Sequence, residues 1–191
     1  MPIQPSSLGI QHLLSGLQSS HFTGPGRDHL GAETVACGVQ RWRDMVQSTL
    51  SDQAVGTKVD PRPAAIRITL TGGLFGFEQH QTWQLIADPN ELPFQRLRAC
   101  DDSRLTFLVV PPFFVEPEYK PDVSAEDVAF LELGEPDDAW VLNVVTVHDG
   151  GRATVNLKGP ILLNRRTLIG KQVVPANAAH YSLQHPLPIA H

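Results

Sequence analysis

Apolar and polar positions alternate most cleanly from Ile66 to Leu70, where Ile66, Ile68 and Leu70 fall on one side of an extended chain and Arg67 and Thr69 on the other. A period of two predicts a strand with one face in a core and the other in water. Thr82 to Ile86, Leu105 to Val110 and Val128 to Leu133 are rich in β-branched and apolar residues and are bounded by proline, glycine or acidic turns, which predicts three more strands. Trp140 to Val147 runs through His148, Asp149, Gly150 and Gly151 into Ala153 to Leu157, a hairpin signal because Asp-Gly and Gly-Gly tolerate positive φ. Pro160 to Leu163 and Gln172 to Val174 read as two short strands, and Glu91 to Leu97 as one short helix. Strands at this spacing, without alternating long helices, predict a mainly β fold: a compact antiparallel β-barrel-like domain with short helices.

Before residue 60 the pattern changes. Val35, Val39, Trp42, Val46 and Leu50 recur every three or four residues and predict one amphipathic helix over about 30–50. Gly24, Pro25 and Gly26 break the chain ahead of it, and a short helix is expected from Ile10 to Leu17. Asp60 to Pro63 reads as a hinge. The expected division is therefore a helical N-terminal extension over 1–60 and a barrel domain over 61–191.

Between two strand signals lies PPFFVEPEYKPDV, residues 111–123, crowded with prolines, aromatics and carboxylates. Proline fixes φ and lacks an N–H, which excludes the middle of a sheet and predicts an edge strand or an exposed arm where another protein docks.

Charge sharpens this picture. The chain of 191 residues carries a formal charge of -5 and an apolar fraction of 41%, enough for a real core. From Glu116 to Asp138 nine carboxylates face one base, Lys120, whereas Arg152 to Lys171 holds five bases and no acid. That asymmetry favours a basic protein partner and excludes a general nucleic-acid binder, which carries net positive charge. Cys37 and Cys100 are too far apart for a zinc or redox motif and read as buried or half-buried thiols. The first twenty residues lack the basic and apolar regions of a signal peptide, and no segment approaches a membrane span, so a cytoplasmic address is expected.

Catalytic signals are weak. The eight histidines include no HExxH and no paired cysteines. His148 and Asp149 coincide with the residues a hairpin turn needs. The loop from Thr71 to Phe77 has glycines but no Lys-Ser or Lys-Thr to cradle phosphate. Asp101 and Asp102 are neighbours whose side chains point apart in an extended chain, so a helix cap at Asp102 or Ser103 is the simpler role. No cofactor or metal is expected, and no enzyme activity. A small hydrolase using His148 or His180 with a carboxylate stands as the rival reading.

Gly73 to Glu78 reads GLFGFE; Pro93 and Phe94 lead to the stretch from Cys100 to Val110; Pro112, Phe113 and Tyr119 follow. Then come Val141 to Val147, Thr154 to Ile161, Asn164, Gly170 to Gln172 and Tyr181 to His185. This order of motifs resembles the FliW family of flagellar assembly factors, with Phe75 standing where the family has proline. The resemblance implies a β-barrel-like fold, no catalysis and two cytoplasmic protein partners: flagellin, and CsrA, the dimeric regulator that represses translation by occupying messenger RNA leaders. Capture of CsrA would relieve repression of flagellin translation; the alternative is a chaperone specific for flagellin. On this reading Glu78, Asp101, Asp102, Phe113, Glu116, Glu118, Tyr119 and Asp122 bind partners, while Gly73, Gly76, Phe77, Asn156, Asn164 and Gly170 hold backbone shape. A monomer is expected, touching neither nucleic acid nor membrane. The family starts with a strand shortly before the glycine motif, and Val55 to Val59 would be its remnant here.

Overall fold

The computed structural model describes residues 64–149 and 152–187. The expected helices near 10–17 and 30–50, Cys37, the Val55–Val59 remnant and the two glycines of the 148–151 turn lie outside the described residues. β1 (Ala64–Leu70) turns Ile66, Ile68 and Leu70 inward and leaves Arg67 and Thr69 in water, as its alternation requires. β2 (Thr82–Ala87), β3 (Gln95–Ala99) and β4 (Thr106–Val110) follow as an antiparallel meander. Its register sets Ile66 opposite Leu85, Leu85 opposite Leu97, and Leu97 opposite Phe107. β5 (Ala139–Val147) pairs with β4 along one edge. Its other edge takes β7 (Ile161–Asn164) over the first half and β6 (Ala153–Val155) over the last.

β7 pairs with β8 (Ile169–Gln172), and β8 lies parallel to β1 through Thr69 opposite Ile169 and Leu70 opposite Gly170. This closes a ring in the order β1-β2-β3-β4-β5-β7-β8, while β6 and β9 (His185–Leu187) prolong the sheet beyond β5. The fold is mainly β and barrel-like, as expected, with one parallel pair among antiparallel ones in the described residues. Parallel neighbours need a long crossover; here the chain from β2 to β7 supplies it.

Two cores result. Inward side chains of the ring, among them Leu70, Trp83, Leu97, Val109, Trp140, Leu142, Ile161 and Leu163, form the first. The second lies on the outer face of β5 and β7, where Val141, Val145 and Leu162 meet Tyr119, Val123, Leu131, Leu133 and Leu157. β5 and β7 therefore bury both faces, which explains their unbroken apolar runs.

Several expectations are corrected. Val128 to Leu133 is not a strand: Ala125–Phe130 forms α1, because Ser124 Oγ accepts the Asp127 N–H at 3.1 Å and Glu126 and Asp127 occupy the positive first turn. Glu91 to Leu97 is not a helix: turns lead into β3, where Gln95, Leu97 and Ala99 are buried in alternation with Arg96 and Arg98, and the strand is sandwiched between β2 and β4. The expected strand at Gln172–Val174 is shifted to Ile169–Gln172, which takes in Gly170 and Lys171. A Cβ on Gly170 would sit 2.7 Å from the Leu162 carbonyl oxygen, so glycine is what lets β7 and β8 approach. Cys100 is exposed rather than buried. Asp102 caps no helix; its Oδ1 accepts the Arg104 N–H at 3.0 Å in the β3–β4 turn.

Candidate protein-binding surface

Residues 111–138 form a strap across the outer face of β5 and β7, neither an edge strand nor an exposed arm. Pro111, Pro112 and Pro121 are buried, Pro112–Phe114 makes one 3-10 turn, and Tyr119 and Val123 join the second core. Proline suits this role: two rigid φ angles hold the chain against the barrel, and no N–H is left to desolvate. Tyr119 is 1% exposed and its hydroxyl donates to the Leu157 carbonyl at 2.8 Å. Burial raises the pKa of that hydroxyl. Its ring packs on Phe113 and on Tyr181, with centroids 6.5 and 4.6 Å apart. Tyr119 is thus out of a partner's reach, and Phe113 is half-buried beside it.

The strap is stitched to the C-terminal loop. Lys120 N–H donates to the Tyr181 hydroxyl at 2.9 Å, Asp122 N–H to Asn177 Oδ1 at 2.8 Å, and Asn177 Nδ2 back to the Lys120 carbonyl at 2.9 Å. At its far end Asn164 Nδ2 donates to the Leu131 and Glu132 carbonyls, while its Oδ1 accepts from the N–H groups of Arg166 and Thr167. Asn156 Oδ1 accepts the Lys158 N–H in the same manner.

Charge is partly spent inside the molecule. Lys171 Nζ lies 2.6 Å from Asp127, and Arg166 lies 3.0 Å from Asp138, so two of the bases in 152–171 hold two of the acids in the strap. Asp138 Oδ2 also accepts the N–H groups of Gly134 and Glu135. Glu116, Glu126, Glu132 and Glu135 form no ion pair among the described residues; the last three are exposed. Glu118 is exposed, with Lys120 at 3.7 Å. Asp122 is half-buried. The acids that face water thus include Glu126, Glu132 and Glu135, which belong to the run of nine but lie outside the residues that carry the family resemblance.

Glu78, Asp101 and Asp102 lie elsewhere, in the β1–β2 and β3–β4 turns. Glu78 Oε1 accepts the Gly76 N–H at 2.8 Å, which holds its carboxyl below the ordinary range. His80 Nδ1 meets Asp101 at 2.8 Å, and this hydrogen bond lowers the Asp101 carboxyl likewise. Asp102 is lowered by the Arg104 side chain. The β1–β2 turn is rigid: Gly73 and Gly76 have φ of 68° and 83°, and Phe77 packs edge-on against Phe107 at 5.0 Å. The buried Gln172 accepts the Phe75 N–H at 2.8 Å and donates to the Gly159 carbonyl at 3.0 Å, pinning the turn to β8. Phe75 itself is 55% exposed.

His148 Nε2 meets Thr154 Oγ1 at 2.8 Å, and His180 is exposed on a 3-10 turn at Ala178–His180. Among the described residues, no group of three or more His, Cys, Asp or Glu gathers in a way that could hold a metal ion. No helix among them is long and apolar enough to cross a membrane.

The family model of the FliW protein matches residues 50–187. The chain belongs to the FliW family. The flagellar assembly factor FliW of Leptospira interrogans is 36% identical over 110 residues, covering 56% of this chain and 73% of that protein. FliW of Clostridioides difficile is 33% identical over 123 residues, covering 64% and 94%. A crystal structure of a flagellar assembly factor FliW superposes with a TM-score of 0.56 at 22% identity, covering 70% of this chain and 88% of the other, which shows the shared fold.

Proposed function

We propose that this chain is a flagellar assembly factor that acts by binding proteins, flagellin and the translational regulator CsrA, in the cytoplasm, and performs no catalysis. The family match over residues 50–187, which spans the ring and the strap together, carries this reading. Its relatives from Leptospira and Clostridioides are named as flagellar assembly factors. In this reading residues 61–191 are the barrel domain that binds and 1–60 an N-terminal extension, of which the family match takes in the part from residue 50.

Physical support comes from the strap. An RNA-binding regulator presents cationic surface, and Glu118, Glu126, Glu132 and Glu135 offer carboxylates in water on a segment anchored by Tyr119, Asn164 and Asn177. A preorganised segment loses little conformational entropy on docking. Complementary fields raise the association rate and fix partner choice more than they raise affinity.

Affinity purification of the full chain from the cytoplasm of a flagellated bacterium tests this. Retention of both flagellin and CsrA is expected. Flagellin alone would reduce the protein to a flagellin chaperone, and retention of neither would overturn the proposal.

A further inference from the structure

The outer face of the β1–β3 meander carries charge of the opposite sign. Arg67 stands across from Gln84, Gln84 from Arg98, and Arg98 from Thr106, a single row over four strands. Arg67 is exposed and has no acidic partner among the described residues. Arg98 donates through Nη2 to the neutral Gln84 Oε1 at 2.6 Å, which orients its guanidinium and leaves other donors unspent. In the neighbouring row Arg96 is already paired with Glu91. Two guanidiniums without a carboxylate partner among the described residues therefore flank one glutamine, two strand spacings or about 10 Å apart, in a chain of net charge -5.

We propose that this row docks an acidic polypeptide segment, with its carboxylates on Arg67 and Arg98 and its backbone over Gln84 and Thr106. The guanidinium fork matches a carboxylate in bidentate geometry, and arginine is the residue suited to such pairing. A nucleic acid fits poorly, since its continuous run of phosphates would meet only two such forks on this face. The surface is separate from the strap, which covers β5 and β7, and does not depend on the flagellar reading.

The test uses the full chain, isotopically labelled, titrated with a glutamate-rich peptide and, in parallel, with oligothymidylate. Peptide should shift the amide signals of Arg67, Gln84, Arg98 and Thr106 saturably. Replacing both arginines, Arg67→Gln with Arg98→Gln, should lower its affinity about tenfold or more, the loss expected for two charge-assisted contacts. Arg152→Gln should leave the affinity unchanged. Should the double variant fold poorly, Arg67→Gln alone, at an exposed position, is expected to lose about threefold. Shifts confined to other regions, unaltered affinity in the arginine variants, or an equal response to oligothymidylate would overturn the proposal.

Discussion

β1 and β7 are both strands of one ring, yet they live in different solvents. β1 shows one face to the core and one to water, so every second residue is free to be Arg or Thr. β7 is buried on both faces, Ile161 and Leu163 toward the ring interior and Leu162 toward the strap. The strap makes the difference: it turns an outer wall into a second core and brings its carboxylates with it. The proposed binding surface and the stability of the fold are thereby joined on one side of the barrel, while among the described residues the opposite wall stays open.

The largest expected effects come from β7. Leu162→Ala and Leu163→Ala should each cost about 2–5 kcal/mol by urea unfolding, although their side chains point in opposite directions. Arg67→Ala on β1 should fall within about 0.5 kcal/mol. A tolerant Leu162 would mean that the strap does not seal that face.

Next comes the β1–β2 turn. A Cβ on Gly73 would lie 2.7 Å from Glu78 Cα and from the Phe77 carbonyl oxygen, whereas one on Gly76 meets nothing within 4 Å. Gly73→Ala should cost about 2–4 kcal/mol and Gly76→Ala about 1–2 kcal/mol, the second for positive φ alone. Equal costs would remove the steric argument.

Tyr119→Phe keeps the ring and removes the donor to Leu157. An unsatisfied buried carbonyl should cost about 1–3 kcal/mol, read as a lower unfolding midpoint with an unchanged denaturant slope. The slope separates loss of stability from release of the strap, which would change it.

The smallest effect is a pH dependence on the open side. The His80 hydrogen bond lowers the Asp101 carboxyl in the folded state, so its stabilisation is complete above the ordinary aspartate range and is lost as pH falls through the folded value. The difference in Tm between the parent and Asp101→Asn should be present at about pH 5 and shrink as pH falls below the ordinary aspartate range.

How much of this was legible follows from the same contrast. β1 was readable because one wet face imposes strict alternation, and β5 because two dry faces impose a long apolar run. β3 was hidden: Gln95 to Ala99 contains arginines, leucine and alanine, all good helix formers, and its strand state is enforced by β2 and β4 on either side. α1 was misread because Val128, Phe130 and Leu131 suggest a strand, while the deciding signal was the small cap from Ser124 to Asp127. The acidic run was visible, but its partial neutralisation by Arg166 and Lys171 was not, since those pairs join residues far apart in sequence. Tyr119 looked like a docking aromatic because local sequence does not say which way a ring points.

The most direct test of the central claim is calorimetric titration of the full chain with purified CsrA and with flagellin at about 50 and about 500 mM salt. The account predicts saturable binding of both, with CsrA affinity falling at least about tenfold at the higher salt as exposed carboxylates are screened. Absence of binding to either protein, or a CsrA affinity indifferent to salt, would contradict it.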